Sequence, residues 1–103
     1  MIVHMEYGLD ATDVEHIKEV FAANPCVQQV ILFGSRAIGN YKPGSDIDLA
    51  LEGASLTFND LLSLNDELDK LGTLYTFDLQ NINSIKDTSV LDHIRRVGRV
   101  LYP

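Results

Sequence analysis

The sequence lacks the features that mark several common classes of protein. Its single cysteine, Cys26, has no partner for a disulfide within the chain, which excludes the disulfide-stabilised secreted domains. The first residues show no basic segment followed by a long apolar core, and no apolar run reaches the length that spans a bilayer. We therefore expect a cytoplasmic protein that does not associate with a membrane.

Positive charge is also scarce. Eight lysines and arginines stand against 15 aspartates and glutamates, which gives a formal net charge of −7. A negative field repels a phosphate backbone, so we expect no groove for nucleic acid. A nucleoside triphosphate site is still compatible with this charge, because a divalent metal held by carboxylates reverses the field locally.

What the chain does contain is enough apolar sequence for one folded domain. Hydrophobic residues make up 46% of the 103 residues and charged residues 22%, as in ordinary soluble globular proteins. No repeat, low-complexity tract or composition shift indicates a linker. We expect residues 1–103 to form a single domain.

Caps and apolar spacing predict three helices and three strands. Thr12 and Glu15 have the spacing of a capping box, and Asn24 with Pro25 ends the helix that follows. Thr57 caps a second helix that Gly72 ends. The remaining predicted elements are strands at residues 27–33, 46–52 and 74–80, a helix at 88–97 and an extended tail after Gly98. This order predicts a small α/β (α+β) layer, a short mixed sheet with helices packed on one face.

The pair Asp46 and Asp48 is the strongest local signal for chemistry. Residues two apart on a strand share a face, so the two carboxylates converge, and hard oxygen ligands of this kind suit magnesium. Acidic residues also alternate with apolar ones on any half-exposed strand, so the pair alone does not decide. Asp78 adds a third carboxylate on the polar face of another strand, as a general base or metal ligand requires.

A second signal follows the first predicted strand. Gly34 and Ser35 come directly after an apolar run, where glycine lets the backbone approach a ligand and serine supplies a hydroxyl and an amide. The alternative is an ordinary tight turn. The combination of this turn with Gly44-Ser45-Asp46-Ile47-Asp48 and the later Asp78 favours a phosphate site over that alternative.

This combination resembles a known family. The stretch FGSRAIGNYKPGSDIDLALE, with the later FDL aspartate, resembles the DNA polymerase beta-like nucleotidyltransferase superfamily, and specifically its minimal members, the MNT proteins that pair with HEPN proteins. The resemblance implies a nucleotidyltransferase fold. It implies catalytic and magnesium-binding roles for Asp46, Asp48 and Asp78, and nucleotide binding by Gly34, Ser35, Arg36, Lys42 and Ser45.

One position departs from the family pattern. Arg36 matches the first arginine of the usual GSRARG form, but Ile38 stands where that form has its second arginine. The missing cation weakens the case for efficient catalysis more than the case for the fold. Lys42 lies in the same loop and is a candidate replacement as a flexible point charge.

The resemblance also implies a reaction and a partner. We expect transfer of a nucleotide, AMP from ATP, to an acceptor hydroxyl, by in-line attack with metals neutralising the charge. The typical acceptor is a tyrosine of a HEPN toxin, which would make this chain the antitoxin. The alternatives are a binding module that neutralises a HEPN partner by occlusion and, more remotely, a glycosyltransferase, which also uses an Asp-x-Asp pair but needs a larger domain.

Several residues are not assigned a function. The histidines His4, His16 and His93 show no ligand spacing, so we interpret them as surface or packing residues. The arginines Arg95, Arg96 and Arg99 follow the preference for cations near a helix C-terminus. Tyr41 is interpreted as a surface residue of the loop.

Overall fold

The structure, a computed structural model, describes residues 5–103. His4 therefore lies outside the described residues. The strands are β1 (Met5–Glu6), β2 (Leu9–Asp10), β3 (Gln29–Phe33), β4 (Ile47–Glu52), β5 (Phe77–Asn81) and β6 (Arg99–Tyr102). The helices are α1 (Ala11–Ala22), α2 (Ser35–Ile38), α3 (Phe58–Asp69) and α4 (Thr88–Val97), with a 3-10 turn at Ile82–Ser84.

A four-stranded mixed sheet lies at the centre, in the order β5-β4-β3-β6. β4 is antiparallel to β3 and parallel to β5, and β6 is antiparallel to β3. The tail expected after Gly98 is therefore a strand at one edge of the sheet. Strands β1 and β2 form a separate antiparallel ribbon. The predicted mixed α/β class is confirmed.

Helices lie on both faces of the sheet, so the prediction that they pack on one face is wrong. Val30 and Leu32 of β3 belong to the main core with α1 and α3. Phe33 of the same strand packs with Ala50 and with Ile94 of α4 in a second cluster. Successive strand residues point to opposite faces, and both faces of β3 are apolar. α4 covers the second face.

The helix caps confirm one prediction and correct another. The side chain of Thr57 accepts a hydrogen bond from the Asp60 amide at 3.2 Å, and the Asp60 carboxylate accepts one from the Thr57 amide at 2.9 Å, a complete capping box. α1 is not capped by Thr12. Asp10 is the cap, because its carboxylate accepts from the Thr12 amide at 2.8 Å while its backbone is still extended.

The last predicted helix, residues 88–97, has the bounds of α4. Asp87 caps it, and its carboxylate accepts hydrogen bonds from the Ser89 amide and hydroxyl at 2.9 and 2.7 Å. No helix in the described part of the chain is long and apolar enough to cross a bilayer.

Candidate functional site

Two of the three predicted carboxylates lie side by side. Asp48 of β4 and Asp78 of β5 are register partners on adjacent parallel strands, so their side chains project from the same face. That face is the one that α4 covers further along the sheet, because Phe77 and Leu79 pack on the opposite side with α3. Asp48 is half-buried and Asp78 is exposed.

Asp46 lies just before β4, at the same end of the sheet. Its carboxylate accepts a hydrogen bond from the hydroxyl of Thr76, the residue before β5. The amide of Ile47 donates to the Thr76 carbonyl at 2.9 Å, which fixes the two strand starts against each other. The fold therefore brings all three predicted carboxylates to one end of β4 and β5.

The grouping of carboxylates perturbs Asp48. Burial raises the pKa of Asp48, and the neighbouring charges of Asp78 and Asp46 raise the pKa further, while His93 acts in the opposite direction. The ionised form of Asp48 is therefore disfavoured, because the effect of His93 is smaller than the effects of burial and of the two carboxylates.

The side chains are not drawn together as a complete metal-ligand set. Within residues 5–103, no group of three histidine, cysteine, aspartate or glutamate side chains is arranged to hold a metal ion. Asp46 instead faces Thr76. The ligand set of Asp46, Asp48 and Asp78 stays a prediction.

The turn at Gly34 lies directly against Asp48. Gly34 ends β3 and caps α2 with φ 75° and ψ −156°, a region that is essentially restricted to glycine. A Cβ at this position would collide with the Asp48 carboxylate. Glycine is therefore needed here for both its backbone and its missing side chain, and the predicted phosphate turn lies against Asp48, one of the predicted metal ligands.

Arg36 is buried and holds the loop rather than facing the site opening. It is 3% exposed, and its guanidinium donates to the Ser45 carbonyl at 3.2 and 3.0 Å and to the Tyr7 carbonyl at 3.0 Å. The rings of Tyr41 and Tyr75 lie 5.0 and 5.6 Å from its charged carbon. Tyr41 is therefore a stacking partner of this arginine, not a free surface residue.

The remaining predicted nucleotide-binding residues lie in the segment between β3 and β4. Ser35 is the first residue of α2, and the Ser45 hydroxyl accepts from the Lys42 amide at 2.9 Å. The Lys42 side chain is exposed, as is Ile38 at 53%. Since Arg36 is engaged elsewhere, Lys42 is the cation of this loop whose side chain is available to a ligand.

His93 is a residue of the site that the sequence analysis set aside. It lies on α4, its ring meets that of Phe33 edge-on with centroids 6.3 Å apart, and its proximity lowers the pKa of Asp48. The only sequence signal for His93 was the apolar spacing that predicted α4. Its proximity to Asp48 depends on α4 crossing the face of the sheet that carries the carboxylates.

A match to a protein family model identifies the family of the chain. The family model described as "Polymerase beta, Nucleotidyltransferase" matches residues 15–103. The chain belongs to this family. The predicted resemblance and the nucleotidyltransferase fold are thereby confirmed, while the roles of the individual site residues are not tested by the match. Comparison with curated proteins gives no match.

Solved structures similar to this nucleotidyltransferase include toxin–antitoxin complexes. A chain of a toxin–antitoxin crystallised with AMP-PNP is 27% identical, with a TM-score of 0.71 over 85% of this chain and 71% of that chain. A chain of the MntA–HepT toxin–antitoxin is 25% identical, with a TM-score of 0.64 over 87% and 69%.

A third similar structure shows the fold alone. It is a tri-AMPylated Shewanella oneidensis HEPN toxin in complex with an MNT antitoxin, matched at 24% identity with a TM-score of 0.65 over 87% of this chain and 69% of that chain. The likeness to MNT antitoxin structures expected from the sequence is therefore present.

Proposed function

We propose that this nucleotidyltransferase transfers AMP from ATP to a hydroxyl group of a HEPN-type partner protein and releases pyrophosphate, with magnesium held by Asp46, Asp48 and Asp78. The observation that carries the proposal is the pairing of Asp48 with Asp78 beneath the Gly34 turn. It places two carboxylates against a glycine turn whose backbone could approach a phosphate group, as transfer of such a group requires.

The charge at Asp48 supports the presence of a divalent cation. Burial and two neighbouring carboxylates raise the pKa of Asp48, so a cation between them would offset unfavourable repulsion. Three carboxylates are also the hard oxygen ligands that magnesium prefers. Bound there, magnesium would neutralise charge on the triphosphate and on the attacking and leaving oxygens.

The protein's own groups would position the reactants. The backbone at Gly34 and Ser35 would approach the triphosphate, and Lys42 would neutralise part of its charge as an exposed, flexible cation. Asp78 is the more exposed carboxylate of the Asp48–Asp78 pair, and we assign it the role of general base, which accepts the proton of the acceptor hydroxyl. Arg36 would act indirectly, by fixing the position of Ser45 and of the loop.

The similar structures support the nucleotide and the partner. One was crystallised with AMP-PNP, an ATP analogue, and one contains an AMPylated HEPN toxin with its MNT antitoxin. By extension, the acceptor would be a tyrosine of a HEPN toxin, and this chain would act as the antitoxin.

Occlusion without transfer is the second candidate function. Ile38 replaces a motif arginine, and Arg36 is buried, so the loop offers a triphosphate fewer cations than the family pattern does. A domain with this loop could bind and block a HEPN partner without modifying it.

Intact-mass spectrometry separates the two candidates. A HEPN-type partner is incubated with ATP, magnesium and this chain, and Asp48→Asn serves as the matched control because it removes a charge but little volume. A mass increase of one or more AMP units that is absent with the control supports the transferase and identifies the acceptor. A stable complex with no mass increase supports occlusion.

A further inference from the structure

The sheet has an open edge beside the candidate site. Among residues 5–103, β5 pairs with β4 alone, so no described strand pairs with its other side. The Thr76 carbonyl accepts from Ile47 of β4, and backbone polar groups alternate in direction along a strand. Phe77 and Leu79 therefore direct their N–H and C=O groups away from β4, where an added strand would meet them.

An apolar groove follows the same edge. One cavity of about 410 Å³ lies between α3, the end of β5 and the start of α4. A second, of about 190 Å³, extends to Asp78. The two share the lining residues Phe58, Leu61 and Leu79, so they adjoin as one groove, and Asp78 is among the residues that line its second part.

The wall of the groove exposes large apolar side chains. Phe58 is 73% exposed and Leu62 is 54% exposed, both on α3. Phe58 is the first residue of α3, and the Thr57 cap begins this helix without any need for an aromatic side chain at position 58. Exposed apolar residues that line a continuous groove indicate an interaction site more strongly than the same residues scattered singly.

The chemistry of the groove identifies its occupant. Unpaired strand N–H and C=O groups beside apolar pockets are complementary to an extended peptide, which supplies backbone hydrogen bonds and alternate apolar side chains. Asp78, the register partner of Asp48, lines one end of the groove, whereas Lys86 and Asp87 offset each other at the other end. With a net charge of −7, the protein favours a basic segment.

We propose that an extended, basic polypeptide segment of the acceptor protein docks on the open edge of β5, as a fifth strand, with an apolar or aromatic side chain in the groove beside Phe58. This arrangement delivers the segment's side chains to Asp78. This proposal rests on the proposed function, because it takes the acceptor to be a protein. It adds the way in which the edge of β5 binds that protein.

Hydrogen exchange tests the backbone contact. The probe is the HEPN-type partner of the transfer experiment, added to isotope-labelled chain. The amides of Phe77 and Leu79 should become protected on complex formation, whereas the amide of Gln80, which is directed to β4, should be protected in the free chain as well. A complex in which the Phe77 and Leu79 amides exchange as in the free chain overturns the proposal.

Groove variants test the side-chain contact. Phe58→Ala and Leu62→Ala should each weaken partner binding. The loss should be about tenfold for Phe58, because its aromatic ring would become buried in the complex. Their affinity for magnesium-ATP should not change. Leu74→Ala is the matched control, since Leu74 is 98% exposed but lies beside Arg36 and Tyr41, away from the groove.

The outcomes separate docking from transfer. Protected edge amides and weakened binding without any AMP on the partner support docking and contradict the proposed reaction. AMP transfer that is equally fast with the groove variants and the wild type overturns docking while supporting the reaction. A self-association seen by sedimentation that Phe58→Ala abolishes would assign the groove to a second copy of this chain and overturn the proposal.

Discussion

Replacing Gly34 by alanine tests the geometry of the candidate site. At φ 75° and ψ −156°, an alanine stores about 1–3 kcal/mol of backbone strain. Its Cβ would also meet the Asp48 side chain, whose carboxyl carbon lies 3.1 Å from that position. The substitution should therefore both destabilise the fold and displace a predicted metal ligand.

Gly72 provides the matched control. Its φ is +70°, close to that of Gly34, and an added Cβ has no heavy atom within 4 Å. Gly72→Ala therefore introduces left-handed backbone strain of about 1–2 kcal/mol without a collision. It follows α3 and does not touch the three carboxylates, so it reports the cost of strain alone.

Thermal unfolding and calorimetric binding of magnesium-ATP together distinguish the two effects. For a domain of this size each kcal/mol lowers Tm by about 4–8 °C, so both variants should melt below the wild type. Gly34→Ala should melt lower than Gly72→Ala and lose magnesium-ATP affinity, whereas Gly72→Ala should keep it. Equal affinity of the two folded variants would refute the contact between the turn and Asp48 as a requirement for binding.

Three further substitutions follow from the site. Because the pKa of Asp48 is raised in the folded state, the metal-free protein should lose stability as pH rises above the ordinary pKa of aspartate. Asp48→Asn should remove this decline and raise Tm at pH 7, and it should abolish magnesium-ATP binding. A pH profile of Tm that is the same in the variant and the wild type contradicts this prediction. Arg36→Lys should lower the free energy of unfolding by about 1.5–3 kcal/mol for each charge-assisted hydrogen bond lost, measured by urea denaturation, and no loss would refute its anchoring role. Ile38→Arg should tighten magnesium-ATP binding by about tenfold at low salt. Because Ile38 is 53% exposed, the substitution should change Tm little. Calorimetry that shows no gain in magnesium-ATP affinity excludes this position from the triphosphate site.

The family and most of the helices could be predicted from local sequence. The capping residue Thr57, the bounds of α4 and the order Gly34-Ser35, Asp46-x-Asp48, Asp78 are local patterns, and each follows from chemistry within a few residues. The Thr12 cap failed because Asp10, at the end of a short strand, was better placed to accept from the same turn.

The roles of Arg36 and His93 could not be predicted in this way. The burial of Arg36 depends on the carbonyls of Tyr7 and Ser45, which are 29 and 9 residues away along the chain. His93 joins the site because α4 packs on the second face of the sheet, which an alternating pattern on one strand does not specify.

The sequence by itself determined the family, the mixed α/β class and the set of acidic and glycine residues from which a site is built, since these follow from residue type and short-range spacing. Only the tertiary structure decided which groups meet. Strand register sets Asp48 against Asp78, and the sheet order leaves the edge of β5 open next to them. Asp48 and Asp78 are 30 residues apart along the chain, so their pairing is fixed by packing of the whole chain rather than by any one segment.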